Sequence, residues 1–239
     1  MNTNMIPLSR DDAFRFSCSK HVPCFNQCCR DLNQFLTPYD ILRLKNRLGI
    51  PSSLFLDQYT TQHLGPESGL PVVTLKPNDA DELKCPLVTS SGCSVYEDRP
   101  SSCRAYPLVR VVSRSRETGK ITERYMLLKE LHCCGFDQEH TQTVREWIED
   151  QGLTKYNEIN DLLLEIISLK NRLIPGPVDI KSKYLFNMVC YDLDRFRSHI
   201  FDKGLLDDFN IDGDTLEVIK NDDVALLKLG LKWIKQILF

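Results

Sequence analysis

Along residues 37–49 the apolar positions Ile41, Leu44 and Leu48 fall three and four apart, the spacing that lines one face of a helix. Thr37 can cap it, Pro38 suits its first position, Asp40 adds negative charge to the first turn, and Gly49 stops it. Ser52 or Ser53 is placed to cap a shorter helix over 54–59. Residues 70–75 (LPVVTL) and 108–114 (LVRVVSR) predict strands. The segment 116–120 (RETGK) predicts a hairpin turn into a strand over 121–128, with Gly119 supplying the unusual dihedral. Beyond His140 the period is helical. Val144, Trp147 and Ile148 share a face, and further helices are expected over 162–173, 184–201 and 222–239, with Pro175-Gly176-Pro177 ending the first of these.

The last of these helices sets Lys228, Lys232 and Lys235 on one face and Leu226, Leu227, Leu231, Ile234 and Leu238 elsewhere. Three lysines are fewer than a polybasic membrane anchor needs, so the expectation is a terminal helix docked on a core with its lysines solvated. The 42% hydrophobic and 26% charged fractions are those of a globule able to bury a core. A net charge of −3 supplies no basic excess for a phosphate backbone, so nucleic acid is not an expected partner. No apolar run approaches the ~20 residues that span a bilayer, and the first residues lack a basic stretch followed by an apolar one, so neither a membrane span nor a signal peptide is expected.

Cysteine alters this ordinary picture. Nine of the ten cysteines lie between Cys18 and Cys134; Cys190, within NMVCYDL, reads as core. That asymmetry predicts an α+β chain: an irregular cysteine-rich domain with a few short strands and helices over 1–138, then a mainly helical region over 139–239. Without an export signal the protein is expected in the cytoplasm with its thiols reduced, where clustered thiols serve as metal ligands or redox groups more often than as crosslinks. The clusters are Cys18, Cys24, Cys28 and Cys29; then Cys85, Cys93 and Cys103; then Cys133 and Cys134. Sulfur-rich sites select zinc, cuprous copper or iron–sulfur clusters. Adjacent side chains diverge in strands and helices, so Cys28 and Cys29 are expected to serve two metal atoms. No CxxC zinc knuckle, ferredoxin spacing or CxxxCxxC radical triad is present.

The ordered set Phe16 and Cys18, Cys24, Cys28-Cys29, Leu36-Thr37, Cys85-Pro86, Gly92-Cys93, Tyr96, Arg99-Pro100, Cys103-Arg104, Tyr106-Pro107 and Cys133 resembles the bacterial YkgJ-type cysteine-cluster family, domains described as zinc- or iron-chelating. The resemblance covers residues 14–135 and implies eight metal-binding thiols: Cys18, Cys24, Cys28, Cys29, Cys85, Cys93, Cys103 and Cys133. The first spacings are longer than the family's CxxCGxCC form, and Cys134 is a rival to Cys133 where the family often has proline. A flagellin lysine N-methylase shares this domain, so the resemblance also implies protein methylation with S-adenosylmethionine as one activity.

Arg99 and Arg104 are candidates to offset thiolate charge, Arg104 the stronger of the two, and Tyr96 and Tyr106 are expected to shield the site from water. With cysteines in surplus, His21 and His132 are not needed as ligands, and His63 and His140 are expected to be solvated. Three functions follow: an iron or iron–sulfur protein for redox or group transfer, narrowly favoured; a structural zinc module carrying a helical protein-interaction region; or the methylase. The partner is an unidentified protein or small-molecule substrate.

Overall fold

The structure, a computed structural model, describes residues 4–30, 33–66, 68–78, 82–115, 117–207, 209 and 211–239. Its elements in chain order are β1 (Asn4–Leu8), β2 (Ala13–Arg15), β3 (Phe35–Leu36), α1 (Pro38–Leu48), α2 (Ser52–Tyr59), β4 (Thr60–Leu64), β5 (Pro71–Leu75), β6 (Val88–Thr89) and β7 (Gly92–Cys93). There follow α3 (Ser101–Ala105), β8 (Leu108–Arg114), β9 (Ile121–Lys129), β10 (Thr141–Thr143), α4 (Val144–Asp150), α5 (Leu153–Leu173), α6 (Ile180–Tyr191), α7 (Leu193–Lys203), α8 (Gly213–Asn221) and α9 (Asp223–Leu238). The class is α+β. By contacts the chain forms two compact units, residues 1–32 with 77–157 and residues 33–76 with 158–239.

The first unit contains every thiol except Cys190. Its main sheet is antiparallel in the order β1-β9-β8, with Leu108 opposite Leu127 and Arg110 opposite Tyr125; β2 pairs with β10, and β6 with β7. The hairpin between β8 and β9 closes as the sequence predicts, with Gly119 at φ 68°, although Arg116 lies outside the described residues. Phe14, Phe16, Leu108, Tyr125, Leu127, Val144, Trp147, Ile148 and Leu153 form the core beneath this sheet. Phe16 is its hinge-pin. Its ring meets those of Phe136 at 5.2 Å, Trp147 at 5.6 Å and Tyr106 at 5.8 Å.

In the second unit β3-β5-β4 make a small antiparallel sheet beside the helices. Thr37 and Asp40 form the reciprocal cap of α1, and Gly49 ends the helix at φ 65°. Neither serine caps α2: Pro51 stands at that position, and the Ser52 hydroxyl instead donates to Asp192 at 2.7 Å. The single helix expected over 184–201 is two, because Asp192 (φ −110°, ψ 66°) breaks it between α6 and α7. Helix α5 starts at Leu153, nine residues before the expected start at 162. In α9, Leu226, Leu227, Leu231, Trp233, Ile234 and Leu238 are buried while Lys228 and Lys232 are exposed; Lys235 pairs with Glu165 at 2.9 Å. Cys190 is fully buried, as core. Among the described residues no helix is long and apolar enough to cross a membrane.

A buried ionic knot joins α1, α7 and α9. The Lys45 ammonium lies 3.1 Å from both Asp194 and Asp223, and Arg197 also reaches both carboxylates. Burial alone would raise the two aspartates. At Asp194 the Ser52 amide and Lys45 outweigh it, and at Asp223 Arg197, Asn46 and Lys45 do so, leaving both pKa values below the ordinary one. Their contribution to stability is therefore fully present above an unfolded carboxylate pKa of about 4 and is lost as pH falls through the lower folded values. Lys45→Ala should cost about 2 kcal/mol in urea denaturation at pH 7, less than a wholly buried pair because Asp194 keeps some water, and should remove part of this acid dependence. Equal loss of stability at pH 3 and pH 7, relative to the parent, would contradict this account.

Candidate metal centre

The thiols of the first unit sit mostly outside regular elements, on segments pinned by backbone hydrogen bonds. Cys28 and Cys29 occupy a 3-10 turn over Gln27–Cys29, entered through Asn26 in the left-handed region at φ 67°. The Asn26 side-chain amide donates to the Thr89 carbonyl at 3.0 Å, and the Cys85 amide donates to the Cys29 carbonyl at 2.8 Å. Those two bonds tie the first cysteine cluster to the second. Cys93 lies on the hairpin β6–β7 opposite Val88. Gly92, at φ 116°, leaves room for Phe25, whose ring a Cβ would meet at 3.0 Å. Cys103 is on α3 and is exposed.

The third cluster is fixed by packing. Cys133 and Phe136 pack against the core, and the Gly135 carbonyl accepts from the Ser17 amide at 3.0 Å. A Cβ at Gly135 would stand 2.5 Å from the Phe16 ring, so only glycine lets the CCGF stretch approach Phe16 this closely. Cys134 is brought next to Cys24, its amide 3.1 Å from the Cys24 sulfur.

All ten cysteines are free thiols. The electrostatics of the nine in the first unit divide them into two neighbourhoods. The Cys18 thiol is pushed up to about 11, first by burial and then by Cys28, Cys133 and Cys24, with Arg99 acting the other way. Cys133 and Cys134 are each raised by burial and by Cys24. Cys29 is raised strongly: it donates its thiol proton to Cys28, is buried, and lies in the field of Cys85 and Cys103. By accepting that bond Cys28 is lowered to about 7. Cys85 and Cys93 are raised by burial and both feel Cys28. Cys18, Cys24, Cys133 and Cys134 thus form one neighbourhood and Cys29, Cys85, Cys93 and Cys103 the other, with Cys28 interacting with both.

One sequence expectation fails here. Cys28 and Cys29 do not diverge; the tight turn sets their thiols within hydrogen-bonding reach of each other. Adjacency therefore gives no argument for two metal atoms, and any such argument rests on the two neighbourhoods.

Backbone amides point at the sulfurs. Leu87 and Val88 donate to Cys85, Val95 to Cys93 and Gly135 to Cys133. Such donors favour the anionic sulfur over the neutral thiol. The Tyr106 hydroxyl is buried without a hydrogen-bond partner, yet faces Cys133 closely enough that each shifts the other: burial and Cys133 raise the phenol, and the phenol offsets part of the burial that raises Cys133. A thiolate at Cys133 would satisfy this orphan donor. This donor set fits a soft metal ion, which requires deprotonated sulfur. Among the described residues no group of three or more His, Cys, Asp or Glu side chains is already arranged to hold a metal ion. Closing a shell takes side-chain rotation as well as proton loss.

The arginines exchange the roles expected of them. Arg104 is buried in structural bonds, to the Gln151 carbonyl at 2.7 Å and the Glu97 carbonyl at 2.5 Å, with its guanidinium over the Tyr156 ring at 4.9 Å. Arg99 is the cation whose field favours the thiolates of Cys18 and Cys93. It is held against Tyr96, 3.8 Å from the ring centroid, and bonds the Gln151 side chain. Tyr96 is 53% exposed and packs against Arg99, whereas the Tyr106 hydroxyl is buried beside Cys133. His21 and His132 are exposed, His132 standing 3.8 Å from Glu130. Sequence reasoning missed the amide donors and the orphan phenol, although the Cys-Pro, Gly-Cys and Cys-Cys-Gly steps mark where such turns occur.

Turns that aim amides at clustered free thiols make a sulfur-rich site whose chemistry suits a soft metal ion. Residues 17–134 match the model of the CxxCxxCC family, whose description is "Putative zinc- or iron-chelating domain". The match supports metal binding, by zinc or iron, in this stretch of the chain. No curated protein and no solved structure matches.

Because burial and mutual repulsion hold most of these thiols protonated at neutral pH, metal loading should release nearly one proton per sulfur bound, Cys28 excepted. Calorimetric titration in buffers of different ionisation enthalpy counts those protons. Binding that releases none at pH 7 would mean that the sulfurs are not the ligands.

Proposed function

We propose that the first unit is a polynuclear thiolate metal centre in which Cys18, Cys24, Cys28, Cys29, Cys85, Cys93, Cys103 and Cys133 hold iron, as an iron–sulfur or multi-iron group, for redox or group transfer in the cytoplasm. The observation that carries it is the pair of thiol neighbourhoods joined through Cys28, with amides and one buried phenol directed at their sulfurs. Such donors at sulfur tune a centre's reduction potential, and the centre when bound supplies electron transfer or Lewis acidity. The chain's own part is to orient the ligands, to keep the Cys133 side dry with Phe16, Phe136 and Tyr106, and to balance thiolate charge with Arg99.

Anaerobic purification with iron, zinc and acid-labile sulfide counted per chain tests the proposal. Iron above one atom with visible charge-transfer absorption is expected. Colourless protein with zinc alone would favour the structural reading, in which the helical unit binds a protein partner. Likeness to the YkgJ-type family and to the metal domain of flagellin lysine N-methylase supports a third reading, protein methylation. Absence of S-adenosylmethionine binding by metal-loaded, reduced protein would end it. Tyr106→Phe should weaken metal affinity by about tenfold, measured by competition with a chromophoric chelator, without changing the far-UV spectrum. Unchanged affinity would show that the phenol does not serve the centre.

A further inference from the structure

We propose that Cys24 and Cys134 form a reversible disulfide under oxidation, and that this bond withdraws Cys24 from the metal-binding set. Release of metal rests on the function proposed above; formation of the disulfide does not.

Two observations single out Cys134 as the partner of Cys24, although the Cys133 thiol also reaches that sulfur. The Cys134 amide is 3.1 Å from the Cys24 sulfur, and the Cys134 thiol itself reaches the same sulfur, so the two side chains are already adjacent across 110 residues of chain. Cys134 is also surplus. The neighbouring Cys133 packs against the core, faces the Tyr106 hydroxyl and receives the Gly135 amide. Cys134 lacks those restraints; apart from the Cys24 sulfur, its thiol makes a long contact with the His132 carbonyl at 3.9 Å. Its backbone is nevertheless held in place, because Gly135 is fixed against Phe16 and bonded to Ser17. Cys134 is therefore a thiol presented to Cys24 with no other bonding task.

With a peroxide as oxidant the chemistry balances. The Cys24 thiolate attacks one peroxide oxygen, the O–O bond breaks, and a sulfenic acid forms as hydroxide leaves and becomes water. The Cys134 thiolate then attacks that sulfur, the S–O bond breaks, and a second water departs with the thiol's proton. Two thiols lose two electrons and two protons, and one peroxide becomes two waters. A dithiol reductant reverses the bond.

The test uses the full chain loaded with zinc, which has no redox chemistry of its own. One equivalent of hydrogen peroxide is added, with parallel samples stripped by chelator, and cross-linked peptides are sequenced by tandem mass spectrometry under non-reducing conditions. A Cys24–Cys134 linkage is expected in the loaded sample, with zinc released from it and rebound after reduction, and a mixture of linkages in the stripped one. C134S should bind as much zinc as the parent, lose the linkage, and retain zinc through the same exposure. In the loaded sample, linkage of Cys24 to Cys133, linkage of Cys28 to Cys29 in its place, or an unreacted Cys134 would overturn the proposal. So would loss of zinc from C134S before peroxide is added, since Cys134 would then be a ligand. If the Cys24–Cys134 bond forms but neither protein holds metal, the disulfide stands and the metal function fails.

Discussion

Phe16→Ala should lower the stability of the first unit by about 3–5 kcal/mol, the cost of emptying a large aromatic site in a core that cannot collapse around it. The ring is 1% exposed and touches three other aromatic rings, and edge-on or tilted pairs of this kind add about 0.5–1.5 kcal/mol each beyond area. Collapse is resisted because Gly135 already lies against the ring and the Phe16 carbonyl accepts from Gln142 at 3.0 Å. The effect should extend to the thiols, since Phe16 positions Gly135 and hence Cys133 and Cys134. Denaturant unfolding followed by Trp147 fluorescence in a Trp233→Phe background, with metal stoichiometry measured on the same samples, checks both halves. A loss below 1 kcal/mol with full metal content would show that the aromatic cluster does not organise the third cysteine pair.

The elements legible in the sequence were those whose signals are local. Helix α1 is written in the Thr37–Asp40 box and in Gly49, and the β8–β9 hairpin in its alternation and Gly119. What the sequence concealed depends on partners far along the chain. The break at Asp192 is invisible in a helical period that runs straight through it, because its carboxylate accepts from the hydroxyl of Ser52, 140 residues away. Strand β2 is three residues long and exists by pairing with β10. A sequence window also cannot show that residues 33–76, flanked by cysteine clusters, join the helical unit by contact.

The same division governs the site. Which residues are candidates to carry the chemistry could be read from cysteine spacing, since nine thiols within one stretch have few other uses. Their grouping could not. Cys28 and Cys29 converge because Asn26 takes a left-handed conformation, which residue type only weakly foretells. Arg99 and Arg104 are alike in sequence, five residues apart. They separate in role because Gln151 and Glu97 offer carbonyls to Arg104, while Arg99 is turned over Tyr96 into the field of the thiols.

Chelation should have the largest effect of all, and it should be local. Between residues 17 and 30 and between 82 and 104, the buried valine and leucine side chains among the described residues are Val22, Leu87 and Val95, with Pro100 beside them. Three such side chains contribute about 1.5–3 kcal/mol each, against roughly 1–2 kcal/mol of backbone entropy for every residue fixed, so these loops cannot hold their shape by burial alone. Binding of a structural metal by thiolates is worth about 10–16 kcal/mol near neutral pH, enough to make up the difference. Hydrogen exchange under anaerobic conditions should therefore show amides such as Cys85 and Ser94, which donate to the Cys29 and Leu87 carbonyls, losing protection when a strong chelator is added. The amides of α6 and α9 should keep theirs, because that core is closed by helix packing around Val189, Phe196 and Trp233, all at least nine-tenths buried. Uniform loss would mean that the metal stabilises both units together. Undiminished protection of Cys85 and Ser94 after verified metal removal would mean that the loops are shaped by the polypeptide itself, and the case for a metal-organised centre would fall.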